Sequence, residues 1–480
     1  MIGLDVGTGG ARALAVDPGG KILAGSSSPL PAPEMNDDGA SEQSADSWRQ
    51  ASIEALEGCL SQLGDNRQNL KAISIDATSG TVVFLDGHYR PLSTGILHND
   101  TRSAEEAIQL NSLLAGHCRE AGYRFGATFA LSKILYFQHH FPHIFNQVQL
   151  IAHQADYVAG VLSGEWGISD PSNSLKTGYN LVADAWPAEL ESLNISHLLP
   201  RIVPSGTAVG TLRKQFADEW GVPAATRIRA GVTDSTAGFL ATGAALNGEF
   251  AVCLGTTLAF KGISKDLIRD PRGVVYCHRH PGGGWLPGGA SNVGGACLKK
   301  NFGGRNLGEL DRHAFSRFPT ATLSYPLVEV GERFPFDSPG AVGFMESPTD
   351  EIDRYLALLQ GVGLVERWCF VRFEELGITV RPPIYTTGNG SRSDEWNQIR
   401  ANILQCCLAR SRSTDPAFGV AVLAAAMEFH GGDLAAASRA MTATDRIFEP
   451  VISWSDWAQA QLGRLRAECR ERGLIQGNGS

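Results

Sequence analysis

The sequence is poor in the features that mark a membrane, secreted or nucleic-acid-binding protein. No uninterrupted apolar stretch reaches the roughly 18 residues of a membrane-spanning helix. The opening residues Met1-Ile2-Gly3-Leu4-Asp5 carry neither the basic region nor the apolar core of a secretory signal. A cytoplasmic protein without a membrane partner is expected. Basic charge is short as well: 41 Lys and Arg against 50 Asp and Glu leave a net charge of -9, and no run of Lys or Arg supplies the footprint that nucleic acid requires. The nine cysteines show neither zinc-ligand spacing nor a dense disulfide pattern, which suits a reducing compartment. Also missing are the Gly-x-x-x-x-Gly-Lys-Ser/Thr loop and a Gly-x-Gly-x-x-Gly turn after a strand, the two commonest nucleotide cradles.

What is present is a chain of 480 residues, 43% hydrophobic and 19% charged, long enough for two or more domains with large cores. Residues 2 to 26 read as three short strands, Ile2 to Val6, Ala11 to Val16 and Lys21 to Ser26, joined by glycine turns. A helix near Ser47 to Leu63 follows, its Trp48, Ala51, Ala55, Leu56, Cys59 and Leu60 forming one apolar stripe. Buried strands are expected at Ala72 to Asp76 and Val82 to Leu85, and helices at Ser103 to Leu114 and Ser132 to His140. This alternation predicts an α/β lobe. Later come glycine-rich turns at 282 to 289, a long helix near Ile352 to Leu376, a strand at Ile384 to Thr386, helices at Trp396 to Cys407 and Phe418 to Phe429, and a helical last fifty residues.

Near the middle the pattern restarts. Val252-Cys253-Leu254-Gly255-Thr256 echoes Leu4-Asp5-Val6-Gly7-Thr8, each a strand ending in a Gly-Thr turn. Glycine lets backbone N–H groups approach phosphate oxygens, and a threonine hydroxyl adds a donor. Two such turns facing each other across a cleft would form a phosphate site; singly, each is an ordinary tight hairpin. Asp234 follows the apolar strand Ile228 to Val232 and opens a small-residue helix, where free N–H groups and the helix dipole favour its ionised form. Such a carboxylate is a suitable base for a hydroxyl. Taken alone it is equally a helix cap.

In this order the motifs resemble the FGGY carbohydrate kinases over roughly residues 2 to 430. They are Gly-Leu-Asp-Val-Gly-Thr at 3 to 8, Ser-Glu-Gln at 41 to 43 with Asp46 and Trp48, and Asn-Asp-Thr-Arg at 99 to 102. Further on stand Ala-Gly-Val-Thr-Asp-Ser at 230 to 235, Leu-Gly-Thr-Thr at 254 to 257, Gly-Gly-Ala-Ser-Asn-Val-Gly-Gly at 288 to 295 and Thr-Gly-Asn-Gly-Ser-Arg-Ser at 387 to 393. The resemblance implies an α/β fold of two RNase H-like lobes of the actin/Hsp70/sugar kinase superfamily around a central cleft. The expected division is 1–243 (sugar and base), 244–433 (ATP) and a helical extension 434–480, with a hinge near Ala244 to Gly248.

The same resemblance implies the roles. Asp234 is the catalytic base and touches the sugar, and Asp5 stands beside the transferred phosphate, holding Mg²⁺ through water. Thr78, Ser79, Asp100 and Arg102 meet the sugar, although Asp100 and Arg102 are also readable as an ion pair. Gly7, Thr8, Gly255, Thr256, Thr257 and Gly294 hold the ATP phosphates, while Gly388, Gly390, Ser393 and Trp396 line the adenosine. Lys133 also matches a family position and is read as structural. Departures from the family pattern are Gly9-Gly10 after Gly-Thr, Asn389 within the glycine run and Asp415 in place of Glu.

Asp-Ala-Thr-Ser-Gly-Thr-Val at 76 to 82, Ser-Asn-Ser-Leu-Lys-Thr-Gly-Tyr at 172 to 179 and Gly-Glu-Arg-Phe-Pro at 331 to 335 look most like the D-ribulose kinase group, often labelled xylulose kinase-like. The expected reaction is transfer of the ATP γ-phosphate to the terminal hydroxyl of a ketopentose, D-ribulose first, giving D-ribulose 5-phosphate. D-xylulose or another pentulose or pentitol is the alternative. From a different class, a non-catalytic ATP- and sugar-binding protein of the actin/Hsp70 type shares the same hairpins. A homodimer is left open by the sequence.

Overall fold

The computed structural model describes residues 1–475, and the chain separates into two units. The first comprises Met1–Ala241, His278–Gly283 and Ser413–Thr442, and the second comprises Thr242–Cys277, Gly284–Arg412 and the chain from Ala443 onward. Two boundary expectations are thereby corrected. The first lobe is not continuous over 1–243, and 434–480 is not a separate helical extension.

In the first unit a six-stranded sheet holds β1 (Ile2–Val6), β2 (Gly10–Val16), β3 (Ile22–Pro29), β4 (Ala72–Ala77), β5 (Ala208–Thr211) and β6 (Arg227–Thr233), in the order β3-β2-β1-β4-β6-β5. β1 to β3 pair antiparallel, β1, β4 and β6 run parallel, and β5 closes the edge antiparallel. The central strands are apolar on both faces because both are covered. Helix α1 (Ala45–Ser61) packs its predicted stripe there, with Trp48, Ala55, Leu56 and Cys59 fully buried. Helix α2 (Gln154–Ser163) joins the same core, and α3 (Asp234–Ala241) follows β6 without a connecting loop. The expected strand Val82–Leu85 forms, but in a separate five-stranded sheet.

The second unit repeats this wiring. Its strands β7 (Glu249–Leu254), β8 (Leu258–Gly262), β9 (Trp285–Ser291), β10 (Arg381–Thr387), β11 (Leu408–Ser411) and β12 (Thr444–Phe448) lie in the order β9-β8-β7-β10-β11-β12. β7 pairs antiparallel with β8 and parallel with β10, as β1 does with β2 and β4. The five-residue echo read from sequence is therefore the trace of a repeated sheet topology. Helices α4 (Glu351–Glu375) and α5 (Asp394–Leu404) cover this sheet. Only Gly282 to Gly284 of the expected glycine turns is a turn. Gly288 and Gly289 lie within β9, where Gly289 leaves room for the Phe334 ring.

The chain then returns to the first unit. Helix α6 (Pro416–Phe429) packs against β1, β4 and α3, and α7 (Leu434–Met441) packs on α6. β12 and helix α8 (Ser455–Glu471) belong to the second unit, α8 lying on α4 and α5. β12 escapes a sequence reading because it is an edge strand with only Phe448 buried. Positions 476–480 of the expected extension lie outside the described residues. Among the described residues no single helix is long and apolar enough to cross a membrane.

Helix α6 sits backbone to backbone on its neighbours. A Cβ on Gly3 would fall 1.7 Å from the Ala417 carbonyl oxygen, and one on Gly419 would fall 1.8 Å from that of Ala237. Each obstacle is main chain and does not rotate away, so overpacking here lies at or above the upper end of its usual cost. Gly419→Ala is expected to destabilise the fold by about 3 kcal/mol, measured by urea unfolding; a loss below about 1 kcal/mol would mean that α6 does not make this contact.

Candidate active site

Asp5 and Asp76 are register partners on the parallel strands β1 and β4. Asp76 is fully buried at the end of an apolar strand, and no N–H or O–H of another residue reaches either of its carboxylate oxygens. Its carboxyl lies beside that of Asp5 on the neighbouring strand. Burial raises Asp5 to about 6, opposed by the hydrogen bond from Asp76 and reinforced by the charges of Asp234 and Asp415. Burial likewise pushes Asp76 well above the usual carboxylate range, with the charge of Asp5 the next cause. Asp415 caps α6 and forms an ion pair of 2.5 Å with Arg12 on β2. Asp234 is the first residue of α3, half-buried, with the Ser235 N–H donating to its Oδ1 at 2.6 Å. Its charge acts on Asp5, Asp76, His98 and Lys176, so these five groups share one region of the first unit.

The expected sugar residues divide. Ser79 keeps a buried hydroxyl without a hydrogen-bond partner. Thr78 is committed within the protein, its Oγ1 2.7 Å from Gln154 Oε1 and 2.6 Å from Thr81 Oγ1. Asp100 is 1% exposed, and its carboxylate accepts from Ser41 N, Arg102 N and the Arg102 guanidinium. Arg102 also reaches Glu42 Oε1 at 2.5 Å and stacks over Tyr136. The two motifs at 41 to 43 and 99 to 102 are thus joined as one half-buried ion cluster around the buried Asp100. Gln43 extends it, donating to Thr8 O and Pro31 O and accepting from the Trp48 indole. Lys133 is fully buried and donates to Gly80 O and Leu97 O at 2.6 and 2.8 Å, a fastening role.

Both Gly-Thr turns are closed by their own backbone. Gly7 N donates to Gly10 O and Gly255 N to Thr257 O, each at 3.0 Å. Thr8 crowns the first turn. In the second unit Thr256 and Thr257 lie against Gly294, and Gly295 N donates to Gly255 O at 2.8 Å. Nearby, Gly388 has φ 84° and a hypothetical Cβ only 2.6 Å from Leu254 O, so this position admits glycine alone. The turn it starts borders a cavity of about 400 Å³ whose lining includes Gly390, Ser393, Trp396, Asp311 and Tyr355. Ser393 Oγ caps α5 by accepting from Trp396 N, and the Trp396 indole donates to Leu359 O, which fixes the ring at the cavity wall. Beneath it the buried Arg400 bonds Glu366, Thr386 and Asn397, and Asn397 bonds Ser391 O.

Sequence reading did not assign Asp76, His98, Lys176, Asp311 or Tyr355 to the site. The available signal was Asp76 itself, since a lone carboxylate ending a strand as apolar as Ala72 to Ile75 is rarely buried without a purpose. Both Asp5 and Asp76 bind their protons more tightly folded than unfolded, where the value is about 4. Their contribution to stability is therefore fully present at low pH and is lost as pH rises through about 6. Asp76→Asn is expected to raise the melting midpoint of the metal-free protein above wild type at pH 8, with the difference shrinking toward pH 4.5. Equal midpoints at pH 8 would mean that burial beside Asp5 does not raise Asp76.

Comparison with known proteins follows this geometry. A model of the FGGY family of carbohydrate kinases, N-terminal domain, matches residues 1–241, and its C-terminal domain model matches residues 250–428. The chain is 28% identical over 446 residues to a xylulose kinase of Escherichia coli, covering 88% of this chain and 89% of that one. It is 26% identical over 442 residues to a xylulose kinase of Bacillus subtilis, covering 88% and 87%. Among solved structures, a kinase from Brucella ovis described as a xyloylose kinase superposes with a TM-score of 0.90 at 25% identity, covering 98% of this chain and 99% of that one. The fold is accordingly that of the sugar kinases in the actin/Hsp70/sugar kinase superfamily. With both family halves matched in tandem onto two units of repeated topology, this chain belongs to the FGGY family of carbohydrate kinases.

Proposed function

We propose that this protein is an ATP-dependent pentulose kinase, with Asp234 as the base that takes the proton of the sugar's terminal hydroxyl. The observation that carries this reading is the position of Asp234: first residue of α3, half-buried, in electrostatic reach of Asp5 and Asp76. A carboxylate so placed abstracts a proton as the hydroxyl oxygen attacks the γ-phosphorus, and the ADP oxygen leaves on the opposite side. The backbone N–H groups of Gly7–Thr8 and Gly255–Thr257, together with Gly294, are suited to receive phosphate oxygens. The cavity at Gly388, Gly390, Ser393 and Trp396 has the volume and the aromatic wall to take adenosine.

Mg²⁺ fits this set. It prefers one or two carboxylates and completes its shell with water and substrate phosphates, and among the described residues no ready-made cluster of three or more ligands exists. Asp5 would hold it, and the ion would supply neutralisation of the phosphate charge. A cytoplasmic setting suits the nine free cysteines.

Among pentuloses, D-xylulose has the better support, because the relatives from Escherichia coli and Bacillus subtilis are named as xylulose kinases. This reverses the order expected from sequence. D-ribulose is the second reading, favoured by Thr78-Ser79-Gly80 where xylulokinases usually carry a Met-His pair. Coupled ADP release with Mg²⁺-ATP and D-xylulose, D-ribulose, L-ribulose, ribitol or glycerol is expected to show stimulation by a pentulose, D-xylulose foremost; stimulation by none would sink the reading. Asp234→Ala is expected to lower turnover by roughly 10²- to 10⁴-fold, and a loss of less than about tenfold would exclude Asp234 as the base.

A further inference from the structure

Two basic side chains, Lys176 and His98, lie within reach of the Asp234 charge, and neither is accounted for by the reading above; Lys133 stands beside Lys176. Lys133 is spent on the carbonyls of Gly80 and Leu97. Lys176 differs. It sits in the turn Leu175–Thr177, half-buried, with Nζ 3.0 Å from Ser79 O and 5.9 Å from the centre of the Phe129 ring. An ammonium offers three protons, and the single carbonyl of Ser79 takes one. His98, on the segment leading to Asp100, is half-buried, and its buried Nδ1 has no partner among the described residues. The Ser79 hydroxyl is likewise unpartnered.

These groups belong to one place. Lys176 bonds the Ser79 backbone, Asp234 acts on both Lys176 and His98, and Lys176 acts on His98. Burial lowers the Lys176 ammonium, and Asp234 is the opposing influence that favours its charge. A buried donor or acceptor left without a partner is destabilising. Three unspent polar groups gathered around a base therefore call for a ligand with several oxygens. A fastening lysine would resemble Lys133, with two of its protons taken by carbonyls.

We propose that Lys176 contacts the sugar directly, donating to a hydroxyl or keto oxygen other than the one that Asp234 deprotonates. The contact rests on the kinase reading of this site. It supplies orientation, because it grips the polyol at a second point beside the attacking oxygen. It also supplies specificity, because a site built to hydrogen-bond one oxygen rejects an analogue that lacks it.

The test compares wild type, Lys176→Met and Lys176→Arg on the best pentulose and on its monodeoxy analogues. Lys176→Met is expected to lower kcat/KM for the full sugar about 10- to 100-fold, the loss of one charged hydrogen bond, with KM for ATP changed less than twofold. Lys176→Arg is expected to recover part of the loss. On one deoxy analogue the penalty of Lys176→Met should disappear, which a lysine that merely fastens the Ser79 loop would not produce. An equal penalty on every analogue, or a kcat/KM within twofold of wild type, overturns the contact. If Lys176→Met does not fold, the same comparison across analogues with Lys176→Arg decides. Wild-type protein that turns over none of the pentuloses overturns the kinase reading and the contact together, whereas turnover with an indifferent Lys176→Met overturns the contact alone.

Discussion

The first unit depends on the close seating of one helix that arrives late in the chain. Helix α6 touches β1 through Gly3 and α3 through Gly419, in both cases main chain against main chain. Gly3 lies two residues before Asp5, and Ala237 lies three residues after Asp234. The helix is therefore the spacer that sets the strand bearing one carboxylate against the helix bearing the other. Its own N-terminus adds Asp415, tied to Arg12 and felt by both Asp5 and Asp76. A side chain at either glycine would move a carboxylate, since packed interiors do not yield continuously.

Around that spacer the protein stores electrostatic cost. Placing Asp76 fully inside the sheet, beside Asp5, disfavours charge on both carboxyls. Buried carboxylate pairs of this kind concentrate at sites where charge must be controlled. The opposite sign is managed by two lysines on the adjoining wall. Lys133 is pushed to about 7 by burial and spent on carbonyls, and Lys176 is left with protons to offer. In the second unit the Gly255–Thr257 turn, the Gly388 turn and the cavity wall are positioned by backbone hydrogen bonds and by the buried Arg400–Glu366 pair beneath them.

Much of this was legible in the residues. The short strands at the N-terminus, the Trp48 stripe, the long helix at 351 to 375 and the Gly-Thr echo follow from apolar period and glycine placement, because those elements are buried enough to imprint their period on the sequence. Asp5, Asp234, Gly388 and Trp396 were singled out because motif and chemistry agreed. Lys176 and His98 were not, since a lysine or histidine in a loop has no periodicity and acquires meaning only from what stands opposite.

The sequence by itself determined the family, the two Gly-Thr turns and the place of Asp234 at the head of a helix. It did so because each is a local pattern in which a few adjacent residues dictate a conformation. Only the tertiary structure decided that Asp100 and Arg102 close on each other and Glu42, that residues 413–442 return to the first unit and that β12 is a strand. It alone paired Asp5 with Asp76. Those outcomes turn on contacts between segments far apart in the chain, where burial and partner choice override local propensity.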